Sequence, residues 1–247
     1  MPLPNVTIDG VNVTCPPRDP AFTPTEPVQP LNEPFSDCDG CNFMLDADGV
    51  VFREESEECV PSACSQIVWF LNPISSIANG TFCGLSSLTK LQLTQSDLTY
   101  ILPGTFADMA LLTELQLQQN KLIGLSDATF AGLVSLNQLQ LNQNEIGTIE
   151  PEAFQWGPAE SLTKLQLNEN LLDGVDLGTF ANMTALEQLQ LEQQLETFTT
   201  FPAGIFADLS SVDELQLPET SCVPADSPPN VIQAIEASND NLPPCAL

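Results

Sequence analysis

Six carboxamides in one register are the first chemistry this chain offers. Gln92, Gln116, Gln140, Gln166, Gln190 and Gln216 recur at intervals of 24 or 26 residues, each between two leucines. A carboxamide both donates and accepts hydrogen bonds. In an L-x-L strand the leucines point inward, so the residue between them faces solvent. Repeated at the strand spacing of about 4.8 Å, such amides can bond along themselves and stiffen a sheet. They can equally grip a periodic polar ligand, such as a polysaccharide or an ordered water lattice. One flanking column reads Thr94, Gln118, Asn142, Asn168, Glu192, Pro218, and the other reads Lys90, Glu114, Gln138, Lys164, Gln188, Glu214. The amides Gln118, Asn142 and Asn168 join the six glutamines as candidate ligand-binding residues. Aromatic and Arg anchors of the kind that dominate protein interfaces are missing from these columns, with only Val68 and Phe70 supplying apolar surface in the first strand.

The cysteines raise a second chemistry. Cys38 and Cys41 form C-x2-C, and Cys59 and Cys64 form C-x4-C, a spacing that suits a tetrahedral thiolate zinc site. Zinc would leave Cys15, Cys83, Cys222 and Cys245 unexplained, whereas an oxidising compartment accounts for all eight as disulfides. The pair in Cys38-Asp39-Gly40-Cys41 also lacks the strand and helix context of a redox motif. Asp46, Asp48, Gly49, Val51 and Glu55 match an EF-hand loop in part, but its first ligand would be Met44, which cannot hold a hard cation. This segment reads as a turn, and no metal site or cofactor is assigned. Asp37, Asp39, Glu54, Glu55, Glu57 and Glu58 still make an acidic end that can gather Ca²⁺ weakly.

Catalysis is disfavoured. The chain has no His, so no Ser-His-Asp or Cys-His nucleophile system can form, and neither a phosphate-cradling Gly-rich loop nor G-x-S-x-G occurs. A carboxylate pair for glycoside hydrolysis carries no weight among 33 acidic residues, where chance pairs are unavoidable. Those acids face five Lys and Arg, giving a formal net charge of −28. Nucleic acid is therefore excluded as an expected partner, because Arg18, Arg53, Lys90, Lys121 and Lys164 cannot build a phosphate-binding patch. Anionic membranes are disfavoured for the same reason. A partner with a basic surface, divalent ions or a salty medium fits better.

These residues need a scaffold that repeats them. From Cys64 onward the chain restates L-x-x-L-x-L, a polar tract often closed by Asn, L-x-x-L/I/V and a lone Phe. The units start at Cys64, Leu88, Leu112, Leu136, Leu162, Leu186 and Val212, giving six full repeats and a truncated seventh. A period of this length predicts a solenoid whose units bury their apolar sides against their neighbours. Phe82, Phe106, Phe130, Phe154, Phe180 and Phe206 are expected to stack in one continuous spine inside it. Asn72, Asn120, Asn144 and Asn170, with Ser96 in register, are expected to satisfy backbone groups where the chain leaves each strand. Two units carry two extra residues, placed within Gln155 to Ser161 on the convex side and around Gln194 to Thr197 at the concave rim.

Over residues 64–217 this pattern resembles the extracellular-type leucine-rich repeat family, in its 24-residue class found in Toll-like receptors and variable lymphocyte receptors. It departs at Cys64, at Trp69 in the first strand, and in the last full repeat, where the Asn is displaced. The resemblance implies an α/β-type solenoid: a curved coil with a parallel β-sheet on its concave face, a mostly irregular or short-helical convex side, and disulfide-tied caps. It also implies a non-catalytic recognition or adhesion module outside the cell that binds a protein or glycan. A rigid acidic spacer or matrix protein is the alternative. Caps tied by cysteines would have Cys222 with Cys245, the four cysteines from Cys38 to Cys64 among themselves, and Cys15 with Cys83.

The ends complete the plan. Residues 1–34 read as a hairpin turning at Asp9-Gly10 followed by a proline-rich arm, 35–63 as an N-terminal cap, 64–217 as the repeats and 218–247 as a C-terminal cap. A second hairpin over 43–53 turns at Asp48-Gly49 and is expected to form the sheet edge that covers the first repeat. Val231, Ile232 and Ile235 suggest a short closing helix. Sequons at Asn5, Asn12, Asn79 and Asn182 are glycosylation candidates, though several arise by chance at this composition. Met1-Pro2-Leu3-Pro4-Asn5 has neither the basic start nor the apolar run of a leader, and no 18-residue apolar stretch appears, so no membrane insertion is expected of this segment. An extracellular location then implies a leader removed from the sequence.

Overall fold

The computed structural model describes residues 6–8, 11–13, 21–26, 29–30, 35–36, 38, 41–54, 60–237 and 242–245. Before the repeats lie β1 (Val6–Ile8), β2 (Val11–Val13), β3 (Gln29–Pro30), β4 (Phe35–Ser36), β5 (Phe43–Leu45) and β6 (Val50–Arg53). Each repeat then contributes one strand to a common sheet. These are β7 (Gln66–Phe70), β9 (Lys90–Thr94), β10 (Glu114–Gln116), β12 (Gln138–Gln140), β14 (Lys164–Gln166), β15 (Gln188–Gln190) and β16 (Glu214–Gln216). Three short segments on the return path, β8 (Ser76–Ile77), β11 (Gly124–Leu125) and β13 (Thr148–Ile149), pair outside it. One helix, α1 (Pro229–Ala237), follows the last repeat.

The main sheet has eight strands in the order β16-β15-β14-β12-β10-β9-β7-β4, parallel except for β4. Register is strict: Leu91, Leu115, Leu139, Leu165, Leu189 and Leu215 align across it, and all are fully buried. Parallel strands one repeat apart follow directly from a 24-residue period, since each turn of the coil returns to the same place one strand spacing on. The convex side runs through turns, with no helix among the described residues of the repeats.

The phenylalanines lie inside as expected, but their stack is interrupted. Rings of Phe82, Phe106, Phe130 and Phe154 follow one another at centroid separations of 6.5, 6.4 and 5.6 Å, and Phe180 meets Phe206 at 6.5 Å. No ring contact joins Phe154 to Phe180 among the described residues. The two extra residues after Phe154 fall at this break, where Pro158 and Ala159 are buried. Gly157 sits so close to the preceding turn that a Cβ there would lie 2.0 Å from the Phe130 carbonyl oxygen.

Asparagine at the strand exit does the work its chemistry allows. Asn120 Nδ2 donates to the Leu93 and Leu117 carbonyls at 2.7 and 3.0 Å, while its Oδ1 accepts from the Leu98 N–H at 3.3 Å. Asn144 and Asn170 repeat this one turn further along each time. In the last full repeat the residue is replaced, not displaced: Gln194 donates to Leu167 O at 2.7 Å and accepts from Leu172 N–H at 3.1 Å. The two-residue insertion lies in the same stretch of chain, between Leu191 and Phe198.

The N-terminal cap differs from expectation in its pairing. β1 and β2 form the first hairpin, with its turn residues outside those described. The hairpin β5–β6 forms as read, but β6 pairs with β8 on the return path. The edge of the main sheet is instead covered by β4, antiparallel to β7. Backbone donors and acceptors of the first repeat are thus closed on two sides by two different segments. Asp46 holds the hairpin turn, accepting from the N–H groups of Thr25, Asp48 and Val50 at 3.1, 3.0 and 2.9 Å. That carboxylate is buried and already satisfied, as a turn requires and a calcium loop does not. Gly49, at φ +77°, is required here because a Cβ would meet Pro73 O at 2.7 Å.

Trp69 replaces the strand leucine for a reason visible only in three dimensions. It packs against Phe43 of the hairpin and Phe82 of the spine, at 5.0 and 6.0 Å, so the aromatic core runs on into the cap. A disulfide joins Cys38 to Cys64, and Cys41 and Cys83 are disulfide-bonded too. Cys15 and Cys59 lie outside the described residues. At the other end Cys222 is bonded to Cys245, and α1 lies over the last repeat with Val231, Ala234 and Ile235 buried. Ile232, one of the three residues that suggested this helix, is 40% exposed, because the i, i+3, i+4 spacing from Val231 falls on Ala234 and Ile235.

Candidate recognition surface

The six central glutamines stand in one row. The pairings Gln92–Gln116, Gln116–Gln140, Gln140–Gln166, Gln166–Gln190 and Gln190–Gln216 are direct register partners, and each side chain is half-buried. The row does not close into a continuous amide ladder. Gln166 donates to Gln190 at 2.6 Å, but Gln116 turns to Glu114 and Gln92 to Thr94. Gln216 reaches Glu192 or Glu214. Acids and hydroxyls in the flanking columns compete for the donors, since a carboxylate accepts more strongly than a neutral amide. Among the described residues the Gln140 amide meets no hydrogen-bond partner, and the buried side-chain oxygens of Gln118 and Asn168 are unmatched.

Charge varies along the face. Lys90 pairs with Glu114 at 3.0 Å, leaving Lys164 without an acidic partner within ion-pair distance among the described residues. Strand β12 and the residues flanking it carry only amides outward, in Gln138 and Gln140 of the strand and in Asn137, Asn142 and Gln143 beside it. Acids gather at the C-terminal end, where Glu192, Glu196, Glu219, Gln193, Gln194 and Gln216 contribute to the wall of a cleft of about 450 Å³. The insertion at 194–197 forms part of this wall, which is how it disturbs the rim. At the opposite end Phe70 and Leu71 are exposed. Lys121 sits off this face, where its hydrogen bond to Asp97 and then the charges of Asp97 and Glu145 hold its pKa above the usual lysine value. Burial pushes Arg53 below the ordinary arginine value while it donates to the Cys83 carbonyl at 2.8 Å.

Sequence reasoning overlooked two columns. Thr89, Thr113 and Thr163, at the strand entry, donate their hydroxyls to the carbonyls of Ser65, Thr89 and Asn137, each one repeat back. At the strand exit Leu71, Gln95, Gln119, Gln143, Glu169 and Gln193 all adopt left-handed backbone, with φ between 54° and 59°. The signal for the second was present as a glutamine immediately before Ser96, Asn120, Asn144 and Gln194, but nothing in residue type announces positive φ for Gln. Of the glycosylation candidates, Asn79 and Asn182 are exposed. The side chain of Asn12 and the whole of Asn5 lie outside the described residues, as do Asp37, Asp39, Glu55, Glu57 and Glu58 of the acidic end.

No helix among the described residues is long and apolar enough to cross a membrane. No curated protein matches the chain. Among solved structures, the TLR13–ssRNA13 complex is similar at 25% identity and a TM-score of 0.53 over 64% of this chain and 20% of that one. The Toll–Spatzle complex, a hub in Drosophila development and innate immunity, is similar at 24% identity and 0.54 over 64% and 22%. The chain thus spans about a fifth of the length of either relative. The leucine rich repeat model matches residues 71–122, 111–156 and 160–221, more than half of the sequence. With the repeat period, the parallel sheet and the asparagine ladder in agreement, the chain belongs to the leucine-rich repeat family.

Proposed function

We propose that this chain is a non-catalytic extracellular recognition or adhesion module that takes a protein or glycan on the concave sheet. The observation that carries this reading is a register-locked row of half-buried glutamines on the outward face of the sheet, in which the Gln140 amide meets no hydrogen-bond partner among the described residues. Groups held in place before binding lose little freedom on binding. Seven strands at about 4.8 Å cover roughly 30 Å, wide enough for an interface of about 800 Å². The disulfides at both ends support an oxidising location. Net charge argues against nucleic acid for this chain, and assigns the positive side of any charged contact to the partner.

The test is surface binding to immobilised poly-lysine and to neutral polysaccharides. Saturable binding that falls at least tenfold in Gln140→Ala/Gln166→Ala, with unchanged melting temperature, is expected. Absence of any saturable contact, together with diffuse Ca²⁺ uptake, would favour the rigid acidic spacer instead.

A further inference from the structure

The left-handed column at the strand exit extends the recognition face. Gln95, Gln119, Gln143 and Gln193 occupy a backbone region that glycine and asparagine enter far more readily. The backbone geometry itself is structural: the N–H groups of Leu71, Gln95, Gln119, Gln143 and Glu169 donate to carbonyls of the next repeat at 3.1–3.3 Å as the chain turns. Glycine would satisfy that turn with less strain. Glutamine adds only its side chain, and the Gln95, Gln119 and Gln193 amides are exposed and meet no protein partner among the described residues. Gln118 and Asn142 lie just inside this column and the central glutamines beyond, so three parallel rows of carboxamides run across the strands. Within the exit column Gln143 is engaged, donating to Glu169 at 2.8 Å, and in the central row Gln92, Gln116 and Gln166 donate to Thr94, Glu114 and Gln190.

We infer that these rows form one track for a neutral, hydroxyl-rich polysaccharide lying across the strands, an inference that rests on the concave-face reading above. Hydroxyls and carboxamides each donate and accept, so the two match without a charge. A pyranose ring in an extended glycan is about as long as one inter-strand step of about 4.8 Å, which lets successive sugars meet successive repeats. Polyanionic glycans are repelled by a chain of net charge −28, and the all-amide strand β12 at the centre of the track offers a cation nothing to pair with.

Titration calorimetry with neutral β-linked glucan oligomers, from disaccharide to octasaccharide, tests this. Affinity is expected to climb with each sugar until the oligomer spans β9 to β16, and to stay within twofold between about 0.05 and about 0.5 M NaCl, where screening lengths shrink severalfold. Gln95→Gly/Gln119→Gly/Gln193→Gly should keep or raise the melting temperature and weaken hexasaccharide binding at least fivefold. Gln95→Asn/Gln119→Asn/Gln193→Asn keeps a carboxamide on a residue tolerant of positive φ and should retain most of the affinity. Unchanged binding in the glycine variant overturns the track. Failure of every neutral glucan to bind overturns it too; if poly-lysine still binds in a Gln140- and Gln166-dependent, salt-sensitive way, the concave-face reading survives, and if nothing binds, both fall.

Discussion

Two amide residue types share this fold and do opposite things. Asn120, Asn144 and Asn170 are buried, and each serves backbone groups from two adjacent repeats. Gln140 faces solvent and serves none. Asn144→Ala should therefore leave buried carbonyls and an N–H unmatched and cost about 3 kcal/mol in urea unfolding, while Gln140→Ala should stay within about 0.5 kcal/mol. Residue chemistry and spacing made both roles legible before any coordinates. Gln194 was misread, because a carboxamide one methylene longer makes the same pair of backbone contacts, and the two-residue insertion around it obscured the register. Strain at the left-handed column was equally hidden, since the Cβ of a glutamine costs roughly 1–2 kcal/mol there and its sequence position does not show the backbone angle.

At the level of elements, the caps decide whether the coil has ends. Period alone predicted the strands and their register, because one pattern repeated six times leaves a single way to stack. It could not say which segment covers the first strand: β4 and the β5–β6 hairpin both carry suitable residues, and long-range pairing has no periodic signal. Trp69 is the joint between cap and coil, and Trp69→Ala should cost about 3–5 kcal/mol by opening a cavity shared with Phe43 and Phe82. At the far end Cys222→Ser/Cys245→Ser should lower stability by about 2–4 kcal/mol. Hydrogen exchange should then rise first in α1 and Val223, and remain unchanged near β9. Uniform loss across all repeats would contradict local capping.

For the molecule as a whole, charge is the unusual quantity. With 33 acids against five bases, self-repulsion opposes the compact state, and salt relieves it. The melting temperature should rise by several degrees between about 0.01 and about 0.5 M NaCl; a fall would mean that ion pairs such as Lys90–Glu114 outweigh repulsion. Composition and repeat register foretold the negative body and the uncharged β12, but not that Glu192, Glu196 and Glu219 meet around one cleft at the C-terminal end, which depends on how the insertion shapes the rim. Strand β12 and its flanks are thus a neutral strip on a strongly negative body. The most direct test of its role is to follow side-chain NH₂ resonances of ¹⁵N-glutamine while glucan hexasaccharide, or poly-lysine, is added. Saturable shifts in Gln116, Gln140, Gln166 and Gln119, with Gln155 on the convex side unmoved, are what the concave recognition surface predicts; shifts confined to Gln155, or none at saturating probe, would contradict it.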